Sequence, residues 1–502
     1  MLFSAVKFQA MKNGLLSLLF LLILFFNACN NTVSKEDEAL AMTYCSNCHQ
    51  FPSPLLLDKD NWEKLLVNTT YHTGISNKDS LPYLQRSINK SQLNISEDDW
   101  NRIKKYFINQ SPYRLNFPLS STTSPLNDLF KVRVGQTFSD KIPNITCVKI
   151  DSATQSAYVC DELNKAIWIL DKNGSPNNHF VGHSAISNIE IAERQLLVTY
   201  IGKSITPTNN HNGYTQLVNL GNKTQSETLL TKLNRPTQSI SVNLDDNPDK
   251  ELITNEFGLL QGSLSIWKKR DKLFQKQALE NTAGAIKTIP VDFDKDGLID
   301  LITLFGQGDE RIVLYKNNGN LKFTSATLLS FPPVYGSSYF ELADFNKDGL
   351  LDIIYTSGDN ADYTVELKPY HGVYIFENQG KNRFKQAYFY QMNGAYKAIA
   401  RDFDLDGDID IAAIAFYVDY FEKTPKDFVF FENSQQKLIP KSIDIKTYGR
   451  WLVMDAGDID KDGDEDLILG SHPLGVTPGT LLKEWVKSSG ALLLINQTIN
   501  KN

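Results

Sequence analysis

The chain has 502 residues, too many for one ordinary hydrophobic core, so we expect two or more domains. Hydrophobic residues make up 41% of the chain and charged residues 22%, the composition of a folded protein rather than of a disordered one. The formal net charge is -7, and no basic cluster follows any predicted helix. Nucleic-acid binding is therefore not expected, because phosphate contacts require clustered lysine and arginine.

The chain begins with the pattern of an export signal. Lys7 and Lys12 precede an almost unbroken apolar run over 15–26, which is too short for a membrane-spanning helix and is typical of a signal peptide. Ala28 followed by Cys29 resembles a bacterial lipobox, in which the cysteine is lipidated and becomes the first residue of the mature protein.

The lipobox resemblance implies a signal peptide over 1–28 and a lipidated tether over 29–35. No later segment is long and apolar enough to span a membrane, so the lipid is the only membrane attachment that we expect. The alternative is ordinary signal cleavage nearby, with Cys29 an incidental cysteine.

Residues 36–112 have the periodicity of a small all-α domain. Ser96 and Asp99 form a capping box ahead of one predicted helix, and apolar residues recur at helical spacing in two places. These apolar residues are Trp62, Leu65, Leu66, Trp100, Ile103 and Phe107. Residues 113–128 are rich in serine, threonine and proline, which predicts a linker.

Cys45, Cys48 and His49 form a CxxCH motif, the most specific signal in the chain. Two thiols at this spacing on the end of a helix reach the two vinyl groups along one porphyrin edge, and the adjacent imidazole coordinates the iron. A zinc site would need a second pair of cysteine or histidine ligands, and a redox CxxC usually lies in a βαβ unit; the sequence predicts neither. The motif therefore predicts one covalently attached haem.

This helical segment resembles the cytochrome c family, closely at the motif and loosely elsewhere. The resemblance implies that Cys45 and Cys48 are the thioether attachment points for haem c and that His49 is the proximal iron ligand. The distal methionine of that family is missing, because Met42, the one methionine between Cys29 and the linker, lies too close to the motif. His72 is then the candidate distal ligand, and the alternative is an open or water-filled distal site.

From about residue 129 the sequence changes to short alternating strands broken by glycine, asparagine and aspartate. One aspartate-rich loop pattern recurs at intervals of roughly fifty residues, over 292–300, 344–352, 402–410 and 458–466, with a degenerate copy at 243–251. Two weaker units upstream bring the count to seven, and units of this length favour four-stranded blades in a closed ring over a solenoid. The pattern predicts a seven-bladed all-β propeller over 129–502, closed by pairing of the strand at 130–134 with the last blade.

The four regular loops have oxygen-bearing side chains at positions 1, 3, 5 and 9 and glycine at position 6. Alternating residues point inward, glycine takes the positive-φ turn and the last carboxylate closes the shell, as a hard cation of the size of calcium requires. The predicted ligands are Asp292, Asp294, Asp296, Asp300, Asp344, Asn346, Asp348, Asp352, Asp402, Asp404, Asp406, Asp410, Asp458, Asp460, Asp462 and Asp466, with a weaker set of Asn243, Asp245, Asn247 and Glu251. The alternative is a series of solvated aspartate-rich turns.

This pattern resembles the FG-GAP or VCBS repeat family of integrin-type propellers, in which Ca²⁺ ions brace the blade loops. The specific motifs cover about 240–470, and 145–240 match by spacing alone. A lipobox, a CxxCH domain and such a propeller together resemble a group of lipoproteins of Gram-negative bacteria. That resemblance implies an anchor in the outer membrane, on the periplasmic face or the cell surface. The partner that we expect for the propeller is a redox protein or a glycan or protein ligand.

Cys147 and Cys160 lie in predicted strands on either side of a turn at 152–155, where antiparallel pairing sets them side by side. Because disulfides persist in the environment of an exported protein, we predict a bridge between them. The alternative is two buried free thiols.

Three functions fit these patterns. The first is a c-type haem lipoprotein that transfers electrons through the haem domain, with the calcium-braced propeller as a docking or ligand-binding platform. The second is a quinoprotein-like dehydrogenase with a cytochrome domain, and the third is a surface adhesion or glycan-binding protein with a haem sensor. No hydrolase motif stands out, so a redox carrier or binding protein is favoured over a catalyst.

Overall fold

The computed structural model describes residues 35–73, 95–118, 122–137, 141–192, 195–206, 211–220, 226–245, 247–271, 273–359, 367–422, 425–474 and 479–499, without the side chains of 70–73. The predicted signal peptide and the lipidation site Cys29 lie outside the described residues. The chain divides into two compact units, one containing 57–113 and the residues up to Cys45, and the other containing 46–56 and 114–502.

The first unit is helical. Its described helices are α1 (Lys35–Cys45), α2 (Lys59–Thr73) and α3 (Glu97–Gln110). Ser96 caps α3 as predicted, since its hydroxyl accepts a hydrogen bond of 3.0 Å from the backbone N–H of Asp99. The apolar residues predicted for one face of α2 and of α3 are buried, and the rings of Trp62 and Phe107 lie 4.5 Å apart between centroids. Within the described residues, no helix is long and apolar enough to cross a membrane.

The second unit is a seven-bladed β-propeller, which confirms the predicted fold and blade count. Two strands precede the first blade, β1 (Ser124–Pro125) and β2 (Phe130–Val134). Blade 1 contains β3 (Ile145–Asp151), β4 (Ser156–Asp161), β5 (Ala166–Asp171) and β6 (Pro176–Val181). Blade 2 contains β7 (Ala185–Ala192), β8 (Gln195–Gly202), β9 (Gly213–Asn219) and β10 (Ser226–Leu233). Blade 3 contains β11 (Pro236–Val242), β12 (Glu251–Glu256), β13 (Ser263–Arg270) and β14 (Leu273–Glu280).

The later blades contain the regular aspartate-rich loops. Blade 4 contains β15 (Ala285–Val291), β16 (Asp300–Phe305), β17 (Arg311–Asn317) and β18 (Phe323–Ser330). Blade 5 contains β19 (Ser337–Ala343), β20 (Asp352–Ser357), β21 (Gly372–Asn378) and β22 (Phe384–Gln391). Blade 6 contains β23 (Ala395–Arg401), β24 (Asp410–Ala415), β25 (Phe428–Ser434) and β26 (Lys437–Ser442). Blade 7 contains β27 (Trp451–Gly457), β28 (Asp466–Ser471) and β29 (Ala491–Asn496), with the short helix α4 (Gly479–Trp485) between its last two strands.

The ring is closed by the strand that precedes the first blade. β2 pairs antiparallel with β29, with Phe130 opposite Asn496, so it becomes the fourth strand of blade 7 as predicted. β1, which lies in the segment predicted to be a linker, pairs in parallel with β26 of blade 6, with Ser124 opposite Lys441. The start of the propeller chain is therefore joined to its last two blades.

Neighbouring blades are joined by side chains of their first strands. A hydroxyl on the first strand donates to a carbonyl of the next first strand, for example from Thr146 to Ile186 at 2.6 Å. The same contact recurs from Ser187 to Pro236, from Thr237 to Ala285 and from Ser338 to Ala395. Backbone N–H groups of first strands are bound in turn by side chains of the preceding blade: Gln238 accepts from Thr288, Glu190 from Ser241, Glu341 from Ala400 and Asp455 from Ile150. The first strand is the inner edge of its blade, and these bonds give partners to backbone N–H and C=O groups that no neighbouring strand pairs with.

Candidate calcium loops and haem motif

The aspartate-rich loops join the first and second strands of blades 4 to 7, and the degenerate copy does so in blade 3. Because successive strands of a blade are antiparallel, all five loops lie at the same end of the ring. In loop 292–300 the backbone φ is 62° at Lys295 and 90° at Gly297, so positions 4 and 6 both take the left-handed region. The glycine at position 6 therefore has the backbone role that the sequence predicted.

The acid at position 9 is fully buried and ties its loop to the blade. Asp300 accepts hydrogen bonds from the backbone N–H of Phe293 at 3.2 Å and of Asn317 at 2.7 Å, and it is 0% exposed. The same two bonds are made by Asp352, Asp410 and Asp466. Each of these carboxylates therefore fixes the loop to the third strand, besides any part that it plays in binding an ion.

An asparagine at the end of the third strand completes this connection, and it lies outside the nine-residue loop pattern. The side-chain amide of Asn317 donates to the backbone oxygen of Ile299 at 3.2 Å and to that of Leu244, in the loop of the preceding blade, at 2.9 Å. The equivalent residues are Asn378, Asn433 and Asn496. In all four blades the asparagine is followed by a polar residue, and this repeated pair is the signal in the sequence. The polar residues are Asn318, Gln379, Ser434 and Gln497.

Carboxylates at positions 1, 3 and 9 come together in three of the loops. In 292–300, 402–410 and 458–466, one oxygen from each of these acids lies within 4.8 Å of the others. The acid at position 1 also shapes the turn, since Asp292 accepts from the backbone N–H groups of Asp296 and Gly297, each at 3.0 Å. In 344–352, position 3 is Asn346, and no such group of three acids forms among its described residues.

Two loops contain carboxylate oxygens that lack a hydrogen-bond partner. Asp402 Oδ1 and Asp460 Oδ1 are buried and accept no hydrogen bond in the described structure. Burial, together with the neighbouring carboxylate of Asp404, raises the pKa of Asp410 to about 7. Burial likewise raises the pKa of Asp466 to about 7, with Asp460 contributing. Closely spaced, desolvated carboxylates of this kind favour a bound cation, and oxygen-only ligands suit Ca²⁺.

The CxxCH motif lies at the end of α1. Cys45 is the last residue of that helix, and Cys48 and His49 follow in a turn. His49 Nδ1 lies 2.9 Å from the backbone oxygen of Gln50. Burial lowers the pKa of His49, whereas burial and the charge of Asp309 raise the pKa of the Cys48 thiol. Burial therefore favours the neutral form of the imidazole.

The candidate distal ligand is placed only in part. His72 lies in the last turn of α2, and its side chain is outside the described residues, so its role as a ligand stays a prediction. The segment 46–56, which follows the first motif cysteine and includes a single 3₁₀ turn (Pro54–Leu56), belongs to the propeller unit. There the hydroxyl of Tyr370 lies 3.1 Å from the backbone oxygen of Leu56, and the Tyr370 ring stacks on that of Tyr335.

Cys147 and Cys160 lie side by side on neighbouring strands of blade 1. They are directly paired residues of β3 and β4, as expected, and are 7% and 0% exposed. Both are free thiols in the structure. The bridge between them stays a prediction.

Comparison with known proteins identifies the repeat. Residues 292–355 match the family model of the FG-GAP-like repeat, and no curated protein matches the sequence. The N-terminal domain of Nup159 is similar in structure, at 11% identity and a TM-score of 0.44, with 76% of this chain and 98% of that chain covered. A luciferin-regenerating enzyme is similar at 12% identity and a TM-score of 0.38, covering 73% and 95%. The WD40 repeats of RRP9 are similar at 8% identity and a TM-score of 0.40, covering 75% and 100%. Residues 292–355 thus form an FG-GAP-like repeat within a seven-bladed β-propeller.

Proposed function

We propose that this chain is an exported c-type haem lipoprotein that transfers single electrons, with its propeller as a calcium-braced platform for a redox partner or a glycan or protein ligand. Cys29 would carry the lipid, in the outer membrane of a Gram-negative bacterium and on its periplasmic face or the cell surface. Haem c supplies the one-electron chemistry when it is bound. Cys45 and Cys48 would hold the haem by thioethers, and His49 would coordinate the iron.

The observation that carries this proposal is the orientation of His49. A carbonyl oxygen only accepts hydrogen bonds, so the contact with Gln50 requires the proton to be on Nδ1. The lone pair is then on Nε2, the nitrogen left to bind a metal. Metal-binding histidines usually donate their other ring N–H to a carbonyl or carboxylate in this way.

The surroundings of the motif favour haem over the two other uses of CxxC. Reactive redox cysteines have a lowered thiol pKa, whereas the pKa of Cys48 is raised. A zinc site would gather further ligands, but the groups of potential metal ligands among the described residues are the three aspartate clusters, and the motif is not one of them.

Calcium fits the loops for a separate reason. The buried oxygens of Asp402 and Asp460 without hydrogen-bond partners are groups that an ion would satisfy. The ion would brace a loop that is already connected to the adjacent blade, since the side-chain amide of Asn496 donates to the backbone oxygen of Phe403 in loop 402–410, so its role is structural.

The haem proposal is tested on the full chain, produced in a host that attaches c-type haem. After denaturing electrophoresis, the wild type is expected to stain for haem, and the Cys45→Ser, Cys48→Ser double variant is expected to lose the stain. The Cys147→Ser, Cys160→Ser variant is the matched control and should keep it. Staining that survives loss of the motif cysteines, or its absence from the wild type, would contradict the proposal.

A further inference from the structure

One position of the third strand lies beside each aspartate-rich loop and differs in charge between blades. Trp267, Tyr315, Phe376, Phe431 and Leu494 pair with the second residue of the second strand in blades 3 to 7. The next residue is therefore equivalent in all five blades. It is Lys268 in blade 3 and Lys316 in blade 4, but Glu377, Glu432 and Ile495 in blades 5 to 7.

Both lysines contact carboxylates of their own loop. The ammonium of Lys316 forms an ion pair with Asp294 at position 3 and lies 3.2 Å from Asp296 at position 5. The ammonium of Lys268 pairs with Asp245 at position 3 and lies 3.9 Å from Glu251 at position 9. Two blades thus place a positive charge among the acids predicted to bind an ion.

In loop 402–410, no ammonium group forms an ion pair with a predicted ligand among the described residues. Its one ion pair among the described residues is made by Asp408 at position 7 with Lys347, and it does not involve the four predicted ligands. Glu432, which takes the place of the lysine, pairs instead with Lys441. Within the described part of the chain, the buried Oδ1 of Asp402 has no hydrogen-bond partner.

We propose that Lys268 and Lys316 are internal counter-ions that take the place of calcium in loops 243–251 and 292–300, so that these two loops do not bind the ion. An ammonium group within contact distance of two carboxylates offsets their mutual repulsion, which is the structural role of the ion in the other loops. A divalent cation entering either lysine-containing loop would have to displace that lysine against charge repulsion. This inference rests on the calcium binding that is part of the proposed function.

Counting bound ions tests the inference. Wild type, Lys316→Met and Lys322→Met, all as full chains, are dialysed against Ca²⁺ and analysed for calcium per chain. Lys322 is an exposed lysine of the same blade and serves as the matched control. We expect Lys316→Met to bind one more Ca²⁺ than the wild type and Lys322→Met to bind the same number. An unchanged count in Lys316→Met would overturn the inference.

Thermal unfolding separates failure of the inference from failure of calcium binding itself. In chelator, Lys316→Met is expected to unfold at a lower temperature than Lys322→Met, because its loop then has neither lysine nor ion, and added Ca²⁺ should remove the difference. If no variant binds calcium, the calcium part of the proposed function is wrong. The counter-ion role is then supported by a lower midpoint of Lys316→Met and overturned by equal midpoints.

Discussion

Replacing Phe130 with alanine tests how the ring is closed. Phe130 is 4% exposed and packs edge-to-face against Phe403 and Phe430, each with a centroid distance of 5.8 Å. Removing a buried phenylalanine ring costs about 3 to 5 kcal/mol, including about 0.5 to 1.5 kcal/mol for each aromatic pair. The alanine variant keeps the backbone pairing of β2 with β29. We therefore expect the substitution to destabilise the closed ring, in which β2 is paired with β29, by about 4 kcal/mol.

Hydrogen–deuterium exchange of peptides from β2 and β29, together with urea unfolding of the full chain, measures this change. Val134→Ala is the control, because Val134 lies in the same strand and is 49% exposed, and exposed substitutions change stability by no more than about 0.5 kcal/mol. Faster exchange in both strands of Phe130→Ala alone is the expected result. If the two variants exchange at the same rate and unfold at the same urea concentration, the aromatic cluster does not hold the ring closed.

Four further outcomes are expected. Burial raises the pKa of Asp427 to about 7, so the contribution of this residue to stability is lost as pH rises from about 4 to 7. At pH 8, Asp427→Asn should therefore be more stable than wild type by up to about 4 kcal/mol. Parallel stability profiles of the two proteins against pH would contradict this. Chelation should lower the unfolding temperature, and Asp404→Ala should reproduce part of the fall; no response to chelator would argue against bound ions. A bridge between Cys147 and Cys160 would contribute about 3 kcal/mol, and alkylation of both thiols without reduction would exclude it. His72→Ala should convert a low-spin haem to one that binds carbon monoxide, and an unchanged spectrum would exclude His72 as the ligand.

The propeller could be predicted because its pattern is local and repeated. Each loop has its glycine and aspartates within nine residues, and the strands beside it are short and apolar. The closing strand was identifiable because Phe130–Val134 precedes the first unit and has no neighbour of its own in sequence. The Ser96 cap could be predicted for the same reason, because its signal lies within four consecutive residues.

Contacts between strands and between blades could not be read in the same way. Lys316 lies 22 residues after Asp294, and only the register of β16 with β17 brings them together. The hydroxyl and carboxylate bonds between first strands depend on how adjacent blades are aligned, which no single repeat specifies. The placement of 46–56 with the propeller is of the same kind, since the predicted haem domain included it.

The pairing of β2 with β29 has a consequence for biosynthesis. The two strands belong to opposite ends of the propeller sequence, so β2, which is made first, cannot become the outer strand of blade 7 until β29 has been made. Until then β2 has an unpaired edge that other chains can bind. A nascent chain arrested before Ala491 would have every aspartate-rich loop and yet remain an open arc, vulnerable to aggregation and proteolysis.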